Sequence, residues 1–160
     1  MWWHVASLVI LSVSITPVMG QDYPARPIRL VVGFPPGGGA DAAARLVAQK
    51  LHETWGQTVV VDNRPGAGGN VGTDIVAKSN ADGYTLLMTS PGPVAINPSL
   101  MKLPYNPRTD LAPVTLVAYG PNVLVVNAAS PAKSLKELVA LARGSSKRLN
   151  YGTSGVGTTP

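Results

Sequence analysis

Ile28-Arg29-Leu30-Val31-Val32-Gly33-Phe34-Pro35-Pro36-Gly37-Gly38-Gly39-Ala40-Asp41 is the stretch that decides the fold. Its first seven residues form a β-branched, apolar run suited to a strand buried on both faces. Pro35 and Pro36 end that strand because neither can donate to a ladder, and the glycines after them accept backbone angles closed to other residues. Ala43, Leu46, Val47, Leu51 and Trp55 then recur at three- and four-residue spacing, while Arg45, Gln49, Lys50, His52 and Glu53 fall mostly elsewhere on the wheel. The spacing predicts an amphipathic helix over 40–55, closed by Gly56. The same pattern repeats with a strand at 58–62, a glycine-rich turn from Arg64 to Asn70, a short helix through Val76, the Asp82-Gly83 turn and a strand at 84–89. Strand, helix, strand, helix, strand implies a parallel, doubly wound α/β sheet. The loops 35–41, 63–70 and 90–98 then emerge together at its carboxyl edge, where open α/β sheets bind ligands.

Past Leu103 the texture changes. Val114 to Ala118 and Val123 to Val126 read as consecutive strands joined at Gly120-Pro121. Ser134 with Glu137 has capping-box spacing, and Leu135, Leu138, Val139 and Ala142 give the following helix a stripe for burial. Arg148 to Tyr151 reads as one more short strand, followed by a glycine-rich turn, Gly152 to Pro160, of the kind that opens a helix. The chain stops there, so the expectation is a truncated chain with a second domain begun and not completed. At the other end, residues 1–20 hold no Asp, Glu, Lys or Arg, and an apolar stretch from Val5 to Ile15 is too short to span a bilayer. A Sec-type signal peptide over 1–20 accounts for it, with a retained anchor or a misassigned start as the alternative.

Composition narrows the function. The 160 residues are 45% hydrophobic and 13% charged, which excludes a disordered polyelectrolyte. Cysteine is absent, which removes disulfides, thiolate metal sites, iron–sulfur clusters and cysteine nucleophiles. The net charge of +5 suits anionic ligands, nucleic acid or a membrane surface. Its cations are scattered singly, with only Lys147-Arg148 adjacent and no aromatic interleaving, so nucleic acid is not expected. His4 lies in the leader and His52 on the polar side of a helix, which leaves no triad and no metal site.

Glycine turns after strands present consecutive amides at a helix N-terminus, an anion cradle. Asp41 in the first helical turn is either a cap that compensates the dipole or a direct ligand group. Gly37 to Ala42 also fits the loose dinucleotide pattern, with Asp62 where a ribose-binding acid would stand, which supports the alternative of a nicotinamide-dependent oxidoreductase. Pro35-Pro36 argues against it by pushing the glycines away from the strand end.

Several motifs, in order, carry a resemblance. They are Tyr23-Pro24, Arg26-Pro27-Ile28, Val32 to Asp41, Asn63-Arg64-Pro65-Gly66-Ala67-Gly68-Gly69-Asn70-Val71-Gly72, Asp82-Gly83-Tyr84-Thr85-Leu86-Leu87, Ala95-Ile96-Asn97-Pro98, Leu103-Pro104-Tyr105 and Tyr151 to Thr158. With them the chain resembles the substrate-binding receptors of tripartite tricarboxylate transporters, the Bug family, over nearly its whole length after Gln21. The resemblance implies a type II periplasmic-binding-protein fold of two doubly wound α/β lobes, here truncated within the second. Residues 21–120 would form the first lobe and 121–160 the start of the second. It implies a periplasmic receptor that captures a small carboxylate for integral-membrane transporter subunits, with no enzymatic activity, cofactor or metal. The ligand-binding residues it suggests are Phe34, Gly37, Gly38, Gly39, Ala40 and Asp41 on the first loop, Gly68, Asn70 and Ser90 beside it, and Ser154, Gly155 and Thr158 opposite. Relatives are about twice as long, so a non-functional fragment with apolar surface left exposed is the further alternative.

Overall fold

The computed structural model describes residues 22–145 and 149–158; the signal peptide expected over 1–20, Lys147-Arg148 and Thr159-Pro160 lie outside the described residues. Three parallel strands, β1 (Ile28–Val32), β2 (Val59–Asn63) and β3 (Thr85–Met88), form one sheet in the order β2-β1-β3. Ile28 pairs with Val59 and Val32 with Asn63 on one side, while Arg29 pairs with Thr85 and Val32 with Met88 on the other. β1 is the central strand, and Ile28, Leu30, Val31 and Val32 are each no more than 3% exposed. Each such side chain contributes about 1.5–3 kcal/mol by leaving water.

Helix α1 (Gly39–Trp55) joins β1 to β2, and α2 (Asn70–Ala77) joins β2 to β3. The chain steps outward from β1 to β2 and then back across to β3, so right-handed crossovers place α1 and α2 on opposite faces. Leu30 and Val32 meet Ala44 and Ala48 of α1, with Phe34, Val59, Val61, Leu86 and Met88 packed around them. The small alanines let α1 lie close to the sheet. Gly56 ends it at φ 68°, its N–H donating to the His52 carbonyl. α2 rests on β3 and β1, and its Gly72 sits so near Gly33 that a Cβ would come within 2.8 Å of the Gly33 Cα. After β3 a π-helical turn (Gly92–Ile96) leads into the short α3 (Asn97–Leu100).

Beyond Leu103 the structure departs from the sequence reading. The runs 114–118 and 123–126 belong to no strand, with Val114 84% and Val125 79% exposed. Their β-branched composition favours extension, yet a strand needs a neighbour for its ladder, and none of the described strands lies alongside. Helix α4 (Leu135–Gly144) forms where the capping signal places it: Ser134 Oγ accepts from the Glu137 N–H at 3.2 Å, and Glu137 Oε2 accepts from the Lys133 N–H at 2.7 Å. The expected stripe is not buried, because among the described residues nothing covers it; Leu135, Val139 and Ala142 are exposed and Leu138 is half-buried. Leu149 to Tyr151 is not a strand, and Arg148 is outside the described residues. Gly155 to Thr158 is a closed turn in which the Thr158 N–H donates to the Gly155 carbonyl. Among the described residues no helix is long and apolar enough to cross a membrane.

Candidate functional site

Because all three strands are parallel, β1, β2 and β3 release their following loops at one edge. The order β2-β1-β3 makes the gap between β1 and β3 the topological switch point, the place where open α/β sheets bind ligands.

The first wall is the loop before α1. Gly38 is the N-cap in an extended conformation, and the first bond of the helix runs from the Ala42 N–H to the Gly38 carbonyl. The amides of Gly38, Gly39, Ala40 and Asp41 thus precede the helical ladder and carry the positive end of its dipole. Gly37, Gly38 and Gly39 are exposed, and a Cβ on Gly37 or Gly39 would meet nothing within 4 Å.

Asp41 is 3% exposed and fully committed. Its Oδ2 accepts from the Gly37 N–H at 2.9 Å and Arg45 Nε at 3.0 Å, and its Oδ1 accepts from Asn63 Nδ2 at 3.0 Å. The Arg45 hydrogen bond, followed by that from Gly37, holds its carboxyl down at about 2. Of the two roles the sequence left open, the contacts are those of a clasp: Asp41 folds the loop back on the helix and engages the Gly37 amide, leaving those of Gly38, Gly39 and Ala40. Asn63, at the end of β2, ties the second loop to the first by also donating to the Phe34 carbonyl at 3.0 Å.

The second wall is the turn 66–69, where four consecutive residues have positive φ: Gly66 139°, Ala67 47°, Gly68 64° and Gly69 98°. Only a glycine-rich segment can follow that path. It brings Gly69 against Phe34 and Pro93, since a Cβ there would come within 3.1 Å of the Phe34 ring and 2.9 Å of Pro93 Cγ. Asn70 is buried at 7% exposure, its Oδ1 accepting from Asn97 Nδ2 and the Tyr105 hydroxyl and its Nδ2 donating to Met101 Sδ. Ser90 follows β3, and its Oγ is buried without a hydrogen-bond partner among the described residues, as is the Thr89 hydroxyl beside it.

The third part is the turn 154–158. Ser154 Oγ and Thr158 Oγ1 lie 2.8 Å apart, and Thr158 Oγ1 donates to the Gly155 carbonyl at 2.7 Å. A Cβ on Gly68 would come within 2.8 Å of the Val156 carbonyl, so this turn sits directly against the second glycine turn. The structure therefore brings Phe34, Gly68, Asn70, Ser154, Gly155 and Thr158 together around the second glycine turn, with Phe34 as its link to the first loop. Asn63, Arg45, Asn97 and Tyr105 also build this edge. Asn63, Asn97 and Tyr105 were in view only as members of motifs, and a polar residue just past an apolar strand or inside a proline turn is their one sequence signal.

Electrostatically the edge works through amides. Arg45 is engaged by Asp41, and Arg29 and Arg64 both donate to Asp62, whose carboxyl is lowered chiefly by the Arg29 hydrogen bonds. The same pairing leaves Asp62 poorly placed to accept from a ribose, against the dinucleotide alternative. Among the described residues no cluster of His, Asp and Glu could hold a metal. A groove of about 420 Å³ runs along the flank of α1 and β2 between His52 and Thr58. His52 is exposed there, with Nδ1 3.0 Å from the Gln57 carbonyl.

Comparison with known proteins points the same way. Residues 43–160 match the model of the tripartite tricarboxylate transporter family receptor. The chain is similar to protein BugT of Bordetella pertussis, 46% identical over 144 residues, covering 89% of this chain and 44% of BugT. Its fold is similar to that of R. palustris Rpa4515 with adipate, at 41% identity and TM-score 0.80 over 86% of this chain and 46% of that one. MatC from Rhodopseudomonas palustris with bound malate is similar at 33% identity and TM-score 0.69, over 76% and 42% of the two chains. The chain spans less than half the length of each of these proteins.

Proposed function

The chain belongs to the tripartite tricarboxylate transporter receptor family, and we propose that it captures a small carboxylate in the periplasm for that transporter's membrane subunits. The family is one of periplasmic solute receptors, not enzymes, which sets the oxidoreductase alternative aside. The fold is the α/β parallel sheet of its solved members. In this reading residues 1–20 direct export, 21–120 form the first lobe and 121–160 begin the second.

One observation carries the ligand class: Arg45 neutralises Asp41 at the base of an exposed glycine loop at the head of a 17-residue helix, where the first amides precede the helical ladder. A carboxylate placed there meets hydrogen-bond donors and the positive end of a dipole without an opposing free charge. Each hydrogen bond to a charged group is worth about 1.5–3 kcal/mol, or roughly ten- to a hundredfold in affinity. Gly38, Gly39 and Ala40 supply the amides, Phe34 and the Gly37-Asp41 clasp set the shape of the loop, and Gly68, Asn70 and Ser90 form the flank. Ser154, Gly155 and Thr158 face the ligand from the 154–158 turn. Adipate and malate, bound by the two R. palustris relatives, define the size of ligand to try first.

Calorimetric titration of the protein with adipate and with malate, using NADH as the comparison, tests the reading. Saturable binding of a dicarboxylate and none of NADH is expected; binding of NADH alone would contradict it. Gly38→Val serves as the site variant, because a Cβ at Gly38 meets only the Pro35 carbonyl at an ordinary 3.6 Å. The fold should tolerate valine while the branched side chain shields the amides, weakening dicarboxylate binding about tenfold or more. Unchanged affinity would remove this loop from the site.

A further inference from the structure

The glycine turns meet over one buried amide. Asn97, at the head of α3, is 0% exposed, and its Nδ2 donates to Asn70 Oδ1 at 2.8 Å. The Tyr105 hydroxyl lies 3.0 Å from the same oxygen and 3.0 Å from the Pro93 carbonyl. Asn70, Asn97 and Tyr105 come from three segments and are all more than nine-tenths buried, so the network clamps the Asn97 amide in one orientation.

Its other end is open. Asn97 Oδ1 is buried and accepts no hydrogen bond from the described residues. Native proteins keep few such atoms, and each asks for an explanation. This one packs under Gly157: a Cβ there would collide with Asn97 Oδ1, and one on Gly92 would collide with the Gly157 carbonyl. On the neighbouring side a Cβ on Gly68 would press on the Val156 carbonyl at 2.8 Å and Thr158 Cγ2 at 3.3 Å. Glycines at 68, 92 and 157 let backbone meet backbone, and the Asn97 amide is the floor of that contact.

We propose that Asn97, held by Asn70 and Tyr105, is a positioning residue that sets where the 154–158 turn stands over the carboxylate site. The inference rests on the carboxylate reading above, and it assigns a role to two residues that touch the ligand only through Gly157 and its neighbours. Removing the floor frees the turn, so Ser154 and Thr158 spend less time where they can close on a ligand.

The test combines hydrogen exchange on the ligand-free protein with adipate titration, for Asn97→Ser, Tyr105→Phe and Gly152→Ala. Gly152 is the control, since it lies in the same loop and a Cβ there meets nothing within 4 Å. In Asn97→Ser, exchange in 152–158 is expected to rise about tenfold while β1 and α1 stay protected. Adipate affinity should fall about fivefold, the worth of one hydrogen bond. Tyr105→Phe, which keeps the ring, should shift both readouts the same way by less, and Gly152→Ala should shift neither. If Asn97→Ser does not fold, Tyr105→Phe decides. Exchange in 152–158 that is unchanged in the folded variants, or a rise spread equally over β1 and α1, overturns the proposal. If no dicarboxylate binds yet exchange in the turn rises as expected, the carboxylate reading fails while the hold of Asn97 on the turn stands.

Discussion

At the scale of single residues, Asp41 shows how a charge at a candidate anion site can favour anion binding. A bare carboxylate beside the α1 amides would repel a second one. Here its three donors, Arg45, the Gly37 amide and Asn63, use both oxygens and cancel its field at short range. The same contacts make a pH prediction. The folded carboxyl lies at about 2, below its ordinary 3.8, so the native state favours the charged form. Its contribution is complete above pH 4 or so and fades as pH falls toward 2. Asp62, Asp110 and Glu53 are lowered too and act in the same direction. Melting temperature should therefore drop through this window, and Asp41→Asn should be less stable at pH 7 with a shallower acid decline. A variant whose acid decline matched the parent's would show that the clasp is not formed. Asp41 itself was legible as a first-turn acid, but the choice between cap and ligand was not, because Asn63 reaches it from 22 positions away.

At the scale of elements, the order of strands and helices up to Met88 could be read from periodicity and punctuation, whereas the stretch read as a loop over 90–98 holds the π-helical turn and the start of α3. β1 announced itself by a run too apolar to face water, and α1 by spacing and by Gly56. What could not be read was pairing. The runs 114–118 and 123–126 carry the composition of strands, yet composition fixes only a preference for extension and leaves the partner to the rest of the molecule. α4 makes the same point, because its cap is local and visible while its burial is not. Gly72 gives a test of packing between elements. Alanine in place of glycine inside a helix is usually worth about 1 kcal/mol of stabilisation. At Gly72 the added carbon would meet the Gly33 Cα at 2.8 Å, the Arg64 carbonyl at 3.1 Å and the Gly33 nitrogen at 3.3 Å, all backbone. Gly72→Ala should therefore destabilise by about 1–3 kcal/mol, and calorimetric melting should show it. A gain in stability would mean that α2 does not lie this close to β1.

At the scale of the molecule, a sheet with one crowded edge explains why so many motifs of weak individual meaning come together in one place. Parallel strands bring their loops together, the switch point falls between β1 and β3, and glycines at 66–69 and 155–157 let the turns approach. The sequence contains those glycines, but not the contacts of 154–158 with Gly68, Gly92 and Asn97, which join residues 60 or more positions apart. Family membership was legible because it rests on order and spacing; the buried Asn70-Asn97-Tyr105 network was not, because nothing local distinguishes a clamped asparagine from one in a turn. The most direct measurement is an amide ¹⁵N–¹H NMR titration of the protein with adipate. Saturable shifts concentrated at Gly38, Gly39 and Ala40, with smaller ones at 66–69 and 154–158, are the expected result. Saturable shifts confined to the flank of α1 around His52 and Thr58, with the amides of 38–40 unmoved, would contradict the account.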